Sequence, residues 1–229
     1  MSASDDHRGA STEWLQFDWD RGARTGVGEA VLASGKSAAQ LEVIVGQADE
    51  RGHPLLLTRL EAAAAEALAP MARQPFDYDA VSRTAFLGQH PERPGSAGAA
   101  AVVAAGSSDL PVASEARRTL EFWGVRDVPL VGDVGVAGLW RLLERVDELR
   151  ERRVLIAVAG MEGALFSVLA GLVGGLVIAV PSSVGYGVSA AGEVALKSAL
   201  ASCAPGVVTV NIDNGYGAAC AALKLMRAS

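Results

Sequence analysis

The sequence predicts an α/β protein: a large three-layer, parallel-sheet domain preceded by a smaller α/β region. Three observations carry this. From residue 99 onward, five short apolar runs alternate with five helical stretches, and that alternation builds a parallel sheet through right-handed crossovers. Ahead of it, GQHPERPGSAG at 88–98 is a polar break with two prolines and three glycines, a boundary composition. Half of the 229 residues are hydrophobic, enough for a sizeable core. The organisation read from this is a disordered tail over 1–20, a small α/β region over 21–88, a linker over 89–98 and the sheet domain over 99–229.

In the first region, EAVLAS at 29–34 reads as a strand, and Ser37 caps a helix over 38–51. PLLLTRL at 54–60 is a second strand, the alanine-rich 61–72 a helix, and SRTAFLG at 82–88 a third strand. In the second region, strands are expected at 101–105, 128–132, 154–159, 176–180 and 207–212. Helices are expected at 111–123, 137–150, 163–172, 189–201 and 216–227. The last has Lys224 and Arg227 in its final turn, and its small apolar face, GAACAALKL, is expected to pack between subunits.

Residues 154–181 contain a single charge, Glu162, and a hydropathy window would flag them as a membrane span. Gly160, Gly163, Gly174, Gly175 and Pro181 punctuate the run where a strand, a helix and a second strand would end. Parallel strands covered on both faces are continuously apolar, so a soluble reading is preferred. The N-terminal MSASDDHRGAS has no cationic start and no apolar core of a secretory signal. The expectation is a cytoplasmic protein with no membrane partner.

The net charge is −6, with no stripe of lysine and arginine to neutralise a phosphate backbone, which argues against a nucleic-acid partner. The two cysteines, Cys203 and Cys220, do not make a disulfide framework. No HExxH, CxxC or P-loop pattern occurs. His7, His53 and His90 all precede the second region.

Each strand of that region empties into glycine-rich or polar sequence: GSSD at 106–109, GDVGVAG at 132–138, GMEG at 160–163, PSSVGYG at 181–187 and DNGYG at 213–217. In a parallel sheet these ends share one edge, outside which ligands bind. Glycine permits close backbone approach, and helix N-termini offer free N–H groups to phosphate. The expected anion or nucleotide site therefore draws on Gly106, Ser107, Ser108, Asp133, Gly160, Met161, Ser182, Ser183, Gly185, Tyr186, Gly187, Asp213 and Asn214. Asp109 either caps the following helix or orients a ligand. Glu162 either stands exposed in its loop or serves the site, and its place on the ligand edge favours the site.

Cys203 sits among turn formers, Ser202, Ala204, Pro205 and Gly206, which argues against a deep core position. A helix C-terminus precedes it and does not activate a thiol, so reactivity there needs a cationic partner, such as a cationic substrate. Cys220 lies inside the last helix and reads as packing.

The motifs RTGVGEAVLASGKS (24–37), FDYDAVSRTAFLG (76–88), AGSSDLPVA (105–113), DVGVAGLWRLL (133–143), VAGMEGAL (158–165), VPSSVGYGVS (180–189) and SCAPGVVTVNIDNGYGA (202–218) together resemble the LarB family of nickel-pincer-cofactor biosynthesis proteins. The resemblance runs from Arg21 onward, departing at Gly28, where proline is usual, and at Phe166. It implies a C-terminal domain like the purine-pathway AIR carboxylase, PurE, with GSSD similar to that enzyme's phosphate-binding loop. Where PurE carries a histidine, this chain has Ala164, which counts against the purine reaction; a PurE-type carboxylase or mutase and a non-catalytic nucleotide-binding module stay open as alternatives.

The resemblance further implies carboxylation of C5 of the pyridinium ring of nicotinic acid adenine dinucleotide by CO2. Hydrolysis of the phosphoanhydride, assisted by Mg²⁺, accompanies it. Cys203 matches the family's nucleophile, with Glu162 and Asp109 as the other catalytic candidates. Arg24, Lys36 and Arg83, in first-region motifs, are expected to hold the substrate's anionic groups. PurE-like proteins form closed oligomers, commonly octamers, so a homo-oligomer is expected. Cys203 precedes a strand whereas Asp109, Glu162 and Asp213 follow strands, which sets them ~15–20 Å apart within one subunit. Either 201–206 loops back, or Cys203 enters a neighbouring subunit's site, the arrangement the resemblance favours.

Overall fold

The computed structural model describes residues 14–90 and 92–227. Of the tail expected over 1–20, residues 14–20 belong to the fold instead. Phe17 and Trp19 lie 4.4 Å apart and pack on the first region's core, and the Asp18 amide donates to Glu29 at 2.7 Å. Two aromatic rings give this short segment enough apolar area to hold it down. Residues 1–13 lie outside the described residues.

The first region comprises α1 (Arg21–Thr25), β1 (Ala30–Leu32), α2 (Ala38–Glu50), β2 (Leu55–Thr58), α3 (Ala62–Leu68), β3 (Phe76–Asp79) and β4 (Thr84–Leu87). Its sheet runs β1-β2-β4-β3, with β1 parallel to β2 and the other pairs antiparallel. Ser37 begins α2 through a capping box: its hydroxyl accepts from the Gln40 amide, and the Gln40 side chain accepts from the Ser37 amide. Strand β3 was not expected from the sequence. Leu55 and Leu57 face α2 and α3, whereas Leu56 and Phe86, on the opposite face, join the core of the second region.

The second region comprises β5 (Ala100–Ala104), α4 (Leu110–Phe122), β6 (Leu130–Val131), α5 (Leu139–Leu143), α6 (Val146–Arg150), β7 (Val154–Ala159), α7 (Ala164–Leu172), β8 (Leu176–Pro181), α8 (Glu193–Leu200), β9 (Val207–Thr209) and α9 (Gly215–Arg227). Its five strands are all parallel, in the order β6-β5-β7-β8-β9. Val102, Ile156 and Ile178 point to the layer of α4 and α9; Val103, Leu155 and Val177 point to the layer of α7 and α8. The continuously apolar strands follow from this two-sided cover. The expected helix over 137–150 is two short helices, and a 3₁₀ segment, Gly187–Gly192, replaces the start expected for α8.

Residues 154–181 fold as β7, α7 and β8, and no described helix is long and apolar enough to cross a membrane. One expectation is corrected. The small face of α9 does not await a neighbouring subunit: Ala218, Ala219, Ala222 and Leu223 are fully buried in the core they share with Ala113, Ala116 and Leu120 of α4. Small residues let two helices approach closely, and this chain uses that approach internally.

The 89–98 segment is packed down rather than loose. Its Arg93 amide donates to the Gly124 carbonyl, its Gly98 amide to that of Arg126, and His90 lies 4.2 Å from the Trp123 ring.

Candidate functional site

The turns after β5, β6, β7 and β8 enclose a cavity of about 430 Å³ at the carboxyl edge of the sheet. Gly106, Ser107, Ser108, Asp109, Asp133, Gly160, Met161 and Glu162 line it, all expected from the sequence. A second cavity of about 280 Å³ adjoins it and shares Ser108 and Val184. Its walls come from both regions: Arg59, Ser82 and Arg83 on one side, Glu115, Ser183 and Asp213 on the other.

Backbone contacts fix the turns. Gly160 must be glycine, because a Cβ there would sit 2.1 Å from the Val184 carbonyl oxygen. The Met161 amide donates to that same oxygen at 2.9 Å, stitching the turn after β7 to the one after β8. Asp109 is 3 % exposed. One of its oxygens accepts from Ser182 Oγ at 2.5 Å and the other from the Gly106 amide at 2.9 Å. The carboxylate is held rigidly at the cavity wall.

The other acids differ. Asp133 is ion-paired with Arg141 at 2.5 Å. Glu162 is exposed on the first cavity and has no hydrogen-bond or ion-pair partner among the described residues. Asp213 accepts from the Ser183 amide at 2.8 Å through its side chain. Glu115 is buried, which pushes its carboxyl pKa up; the Tyr216 amide, 3.2 Å away, partly opposes that.

Several expected residues lie elsewhere. Ser182 is fully buried and lines neither cavity; it positions Asp109 rather than meeting a ligand. Asn214 caps α9 through the Gly217 amide at 2.8 Å. Gly185, Tyr186 and Gly187 form a turn outside both cavities, with Tyr186 78 % exposed. Arg24 pairs with Asp18 at 2.5 Å, away from the cleft, and Lys36 is exposed in the turn before α2.

Cys203 is exposed in the turn between α8 and β9, at the amino edge of the sheet. The segment does not loop back. The Ala201 amide continues α8 to the Lys197 carbonyl, and Gly206 pairs with Val177 at the start of β8. The length of β8 separates this thiol from the carboxyl edge that carries Asp109 and Glu162 by on the order of 15–20 Å. Cys220 packs in the core, where burial pushes its thiol pKa up to about 11.

Arg59 and Glu115 escaped the sequence reading. Arg59 ends an apolar strand, the usual place for a residue delivered to a sheet edge. Glu115 stands three residues after Val112 and four before Thr119, on the buried face of α4. That spacing was a legible sign of a carboxylate turned inward.

No histidine lines either cavity. His53 packs edge-on against Trp19, and His90 lies tilted over Trp123. Ala164 opens α7 on the wall of the first cavity. The titratable side chains of the first cavity are all carboxylates.

Mg²⁺ fits in one mode only. Among the described residues no cluster of three metal-ligating side chains exists, Asp109 is committed to two donors, and Asp133 is paired with arginine. Of the first cavity's acids Glu162 alone has both oxygens free, which suits an ion shared between one carboxylate and a bound ligand.

Two protein families match the chain: the LarB/PurE-like N-terminal domain over residues 10–89 and AIR carboxylase over residues 99–229. An uncharacterized protein of Methanocaldococcus jannaschii is 36 % identical over 214 residues, covering 90 % of this chain and 81 % of the relative. Among solved structures, Treponema denticola PurE is 22 % identical with a TM-score of 0.44, over 56 % of this chain and 80 % of that one. A variant of PurE2 from the same organism is 19 % identical with a TM-score of 0.43, over 56 % and 87 %.

Proposed function

Because the chain belongs to the AIR carboxylase family and has the LarB architecture, we propose that it is the carboxylase acting on the pyridinium ring of nicotinic acid adenine dinucleotide. The products are pyridinium-3,5-biscarboxylic acid mononucleotide and AMP. The observation that carries this is the first cavity: it is lined by carboxylates, holds no histidine, and has alanine at the start of α7. Such a cavity favours a cationic ring over a neutral imidazole.

The chemistry explains the demand for a thiol. A pyridinium ring is electron-poor, so its C5 does not attack CO2. Addition of the Cys203 thiolate to an activated ring carbon forms a C–S bond and leaves a neutral, enamine-like dihydropyridine. C5 then donates its electron pair to CO2 and forms the C–C bond. A base takes the C5 proton, the C–S pair leaves with sulfur, and the aromatic cation returns. One infeasible step becomes several feasible ones. Asp109, held by Ser182 and Gly106, orients the substrate.

Glu162, exposed on the same cavity, orients the water that cleaves the phosphoanhydride. Mg²⁺, when bound, offsets the charge of the phosphates. Since Cys203 lies at the far edge of its own subunit, the thiol is supplied by a neighbouring subunit in a homo-oligomer, with the octamer of PurE-like proteins as the candidate assembly. The reactants suit a cytoplasmic protein.

Mass spectrometry of the products from nicotinic acid adenine dinucleotide, bicarbonate and Mg²⁺ tests the reading. The expected products are AMP and a mononucleotide heavier by one carboxylate. Turnover of aminoimidazole ribonucleotide instead, or tight dinucleotide binding with no product, refutes it.

A further inference from the structure

We propose that Arg59 and Arg83 form a phosphoanhydride-binding subsite, contributed by the first region and continuous with the carboxylate-lined cavity. Four observations converge on it. First, the second cavity adjoins the first through Ser108 and Val184, so one elongated ligand spans both. The first cavity bears Asp109, Asp133 and Glu162 and no arginine on its wall; the second bears two guanidinium groups. With Glu115 and Asp213 on its opposite wall, the arginine wall of the second cavity suits the polyanionic end of a ligand whose cationic ring lies in the first.

Second, the cations of the second cavity are under-used. Arg59 spends one nitrogen on the Asp213 carbonyl at 2.7 Å. Arg83 pairs with Glu61 through one Nη, leaving its other Nη without a partner among the described residues. The acids opposite are already engaged by amides, Glu115 by Tyr216 and Asp213 by Ser183. Unclaimed N–H donors therefore face the space.

Third, the backbone is shaped to present them. Arg59 and Arg83 have φ of 52° and 55°, in the left-handed region, where a long side chain is uncommon. Among the described residues seven non-glycine positions have positive φ, and five of them, Arg59, Arg83, Asp133, Met161 and Asp213, line the two cavities. Strain gathered at a cleft is the pattern of a functional site.

Fourth, the two arginines are registered to each other. The Leu60 amide, next to Arg59, donates to the Arg83 carbonyl at 2.8 Å. Paired guanidiniums at fixed spacing bind adjacent phosphates better than a single one.

The choice of a phosphoanhydride rests on the dinucleotide reading above; the anion site itself rests on the geometry. Calorimetric titration of the full chain with inorganic pyrophosphate and with orthophosphate tests it. Arg59→Asn and Arg83→Asn keep a residue that tolerates the left-handed backbone, Arg59→Lys keeps the charge, and Arg145→Gln is a surface control. Circular dichroism verifies folding.

Pyrophosphate is expected to bind at least about tenfold more tightly than orthophosphate. Each Asn variant should lose about tenfold in pyrophosphate affinity, Arg59→Lys less, and the control nothing. Equal binding of both anions, no binding, or unchanged affinity in both Asn variants overturns the subsite. Arginine-dependent pyrophosphate binding in a chain that carboxylates nothing keeps the subsite and defeats the proposed reaction. Carboxylation with arginine-independent binding does the reverse.

Discussion

Ser182 Oγ donates to Asp109 Oδ1 at 2.5 Å, joining the end of β8 to the turn after β5 across 73 residues of sequence. Both side chains are almost wholly buried. The pair fixes the acid on the cavity wall before any ligand arrives. Replacing Ser182 by alanine strands a buried carboxylate oxygen, at a cost of about 1–3 kcal/mol. A lower urea midpoint and slower turnover are expected together. Wild-type values for both would show that the pair neither stabilises nor positions.

Cys203 and Cys220 should separate cleanly. Cys203 is exposed, whereas Cys220 is only partly exposed, packs against the core and has its thiol pKa raised to about 11. At pH 8 iodoacetamide should label one thiol in the folded protein and two in denaturant, as counted by intact mass. Cys203→Ala should abolish carboxylation without loss of stability. Cys220→Ala should keep near-normal turnover; full turnover in Cys203→Ala removes the covalent mechanism.

The distance between Cys203 and Asp109 within a subunit makes complementation diagnostic. Cys203→Ala and Asp109→Asn are each expected to be inactive. Mixed under subunit exchange, they should regain part of the activity, because some sites receive both intact residues. Verified mixing without recovery would place both residues in one subunit's site.

Glu162→Gln removes the one unpartnered carboxylate of the first cavity. AMP release is expected to fall by about 10²-fold or more, with carboxylation less affected. Carboxylated dinucleotide should therefore accumulate in the mass spectrum. AMP formation at the normal rate contradicts the assignment.

His90 should make stability pH-dependent. Burial holds its pKa at about 4, against 6.5 for the free side chain. Between those values the unfolded chain binds a proton that the folded chain refuses. Its contribution is complete above pH 6.5 and is lost as the pH falls toward 4. Allowing for solvent screening, the loss between pH 7.5 and 5 is on the order of 1–2 kcal/mol. Urea unfolding at the two pH values measures it, and the difference should shrink in His90→Phe, which keeps the stacking on Trp123. An equal difference in the variant would assign the effect to other groups.

What the sequence by itself determined was local. Ser37 and Gln40 lie three residues apart, so the cap of α2 was legible. The apolar runs of β5, β7 and β8 are long and unbroken, so their burial on both faces was legible too, and with it the edge carrying Asp109 and Glu162. β3 escaped because its Phe-Asp-Tyr-Asp run is only partly buried and lies at the margin of its sheet. The long helix expected over 137–150 is broken at Glu144 and Arg145, although Leu142 and Leu149 on either side of the break share one core.

The tertiary structure alone decided the second cavity. Arg59 meets Asp213 across 154 residues, and Glu115 meets Tyr216 across 101. Such pairs obey no local periodicity; they exist because one face of the first region's sheet shares a core with α4, which fixes where the two arginines arrive. The same physics separated the predicted catalytic residues. Strand direction sets Cys203 and Asp109 on opposite edges, and only the packed structure showed that the chain does not turn back to unite them.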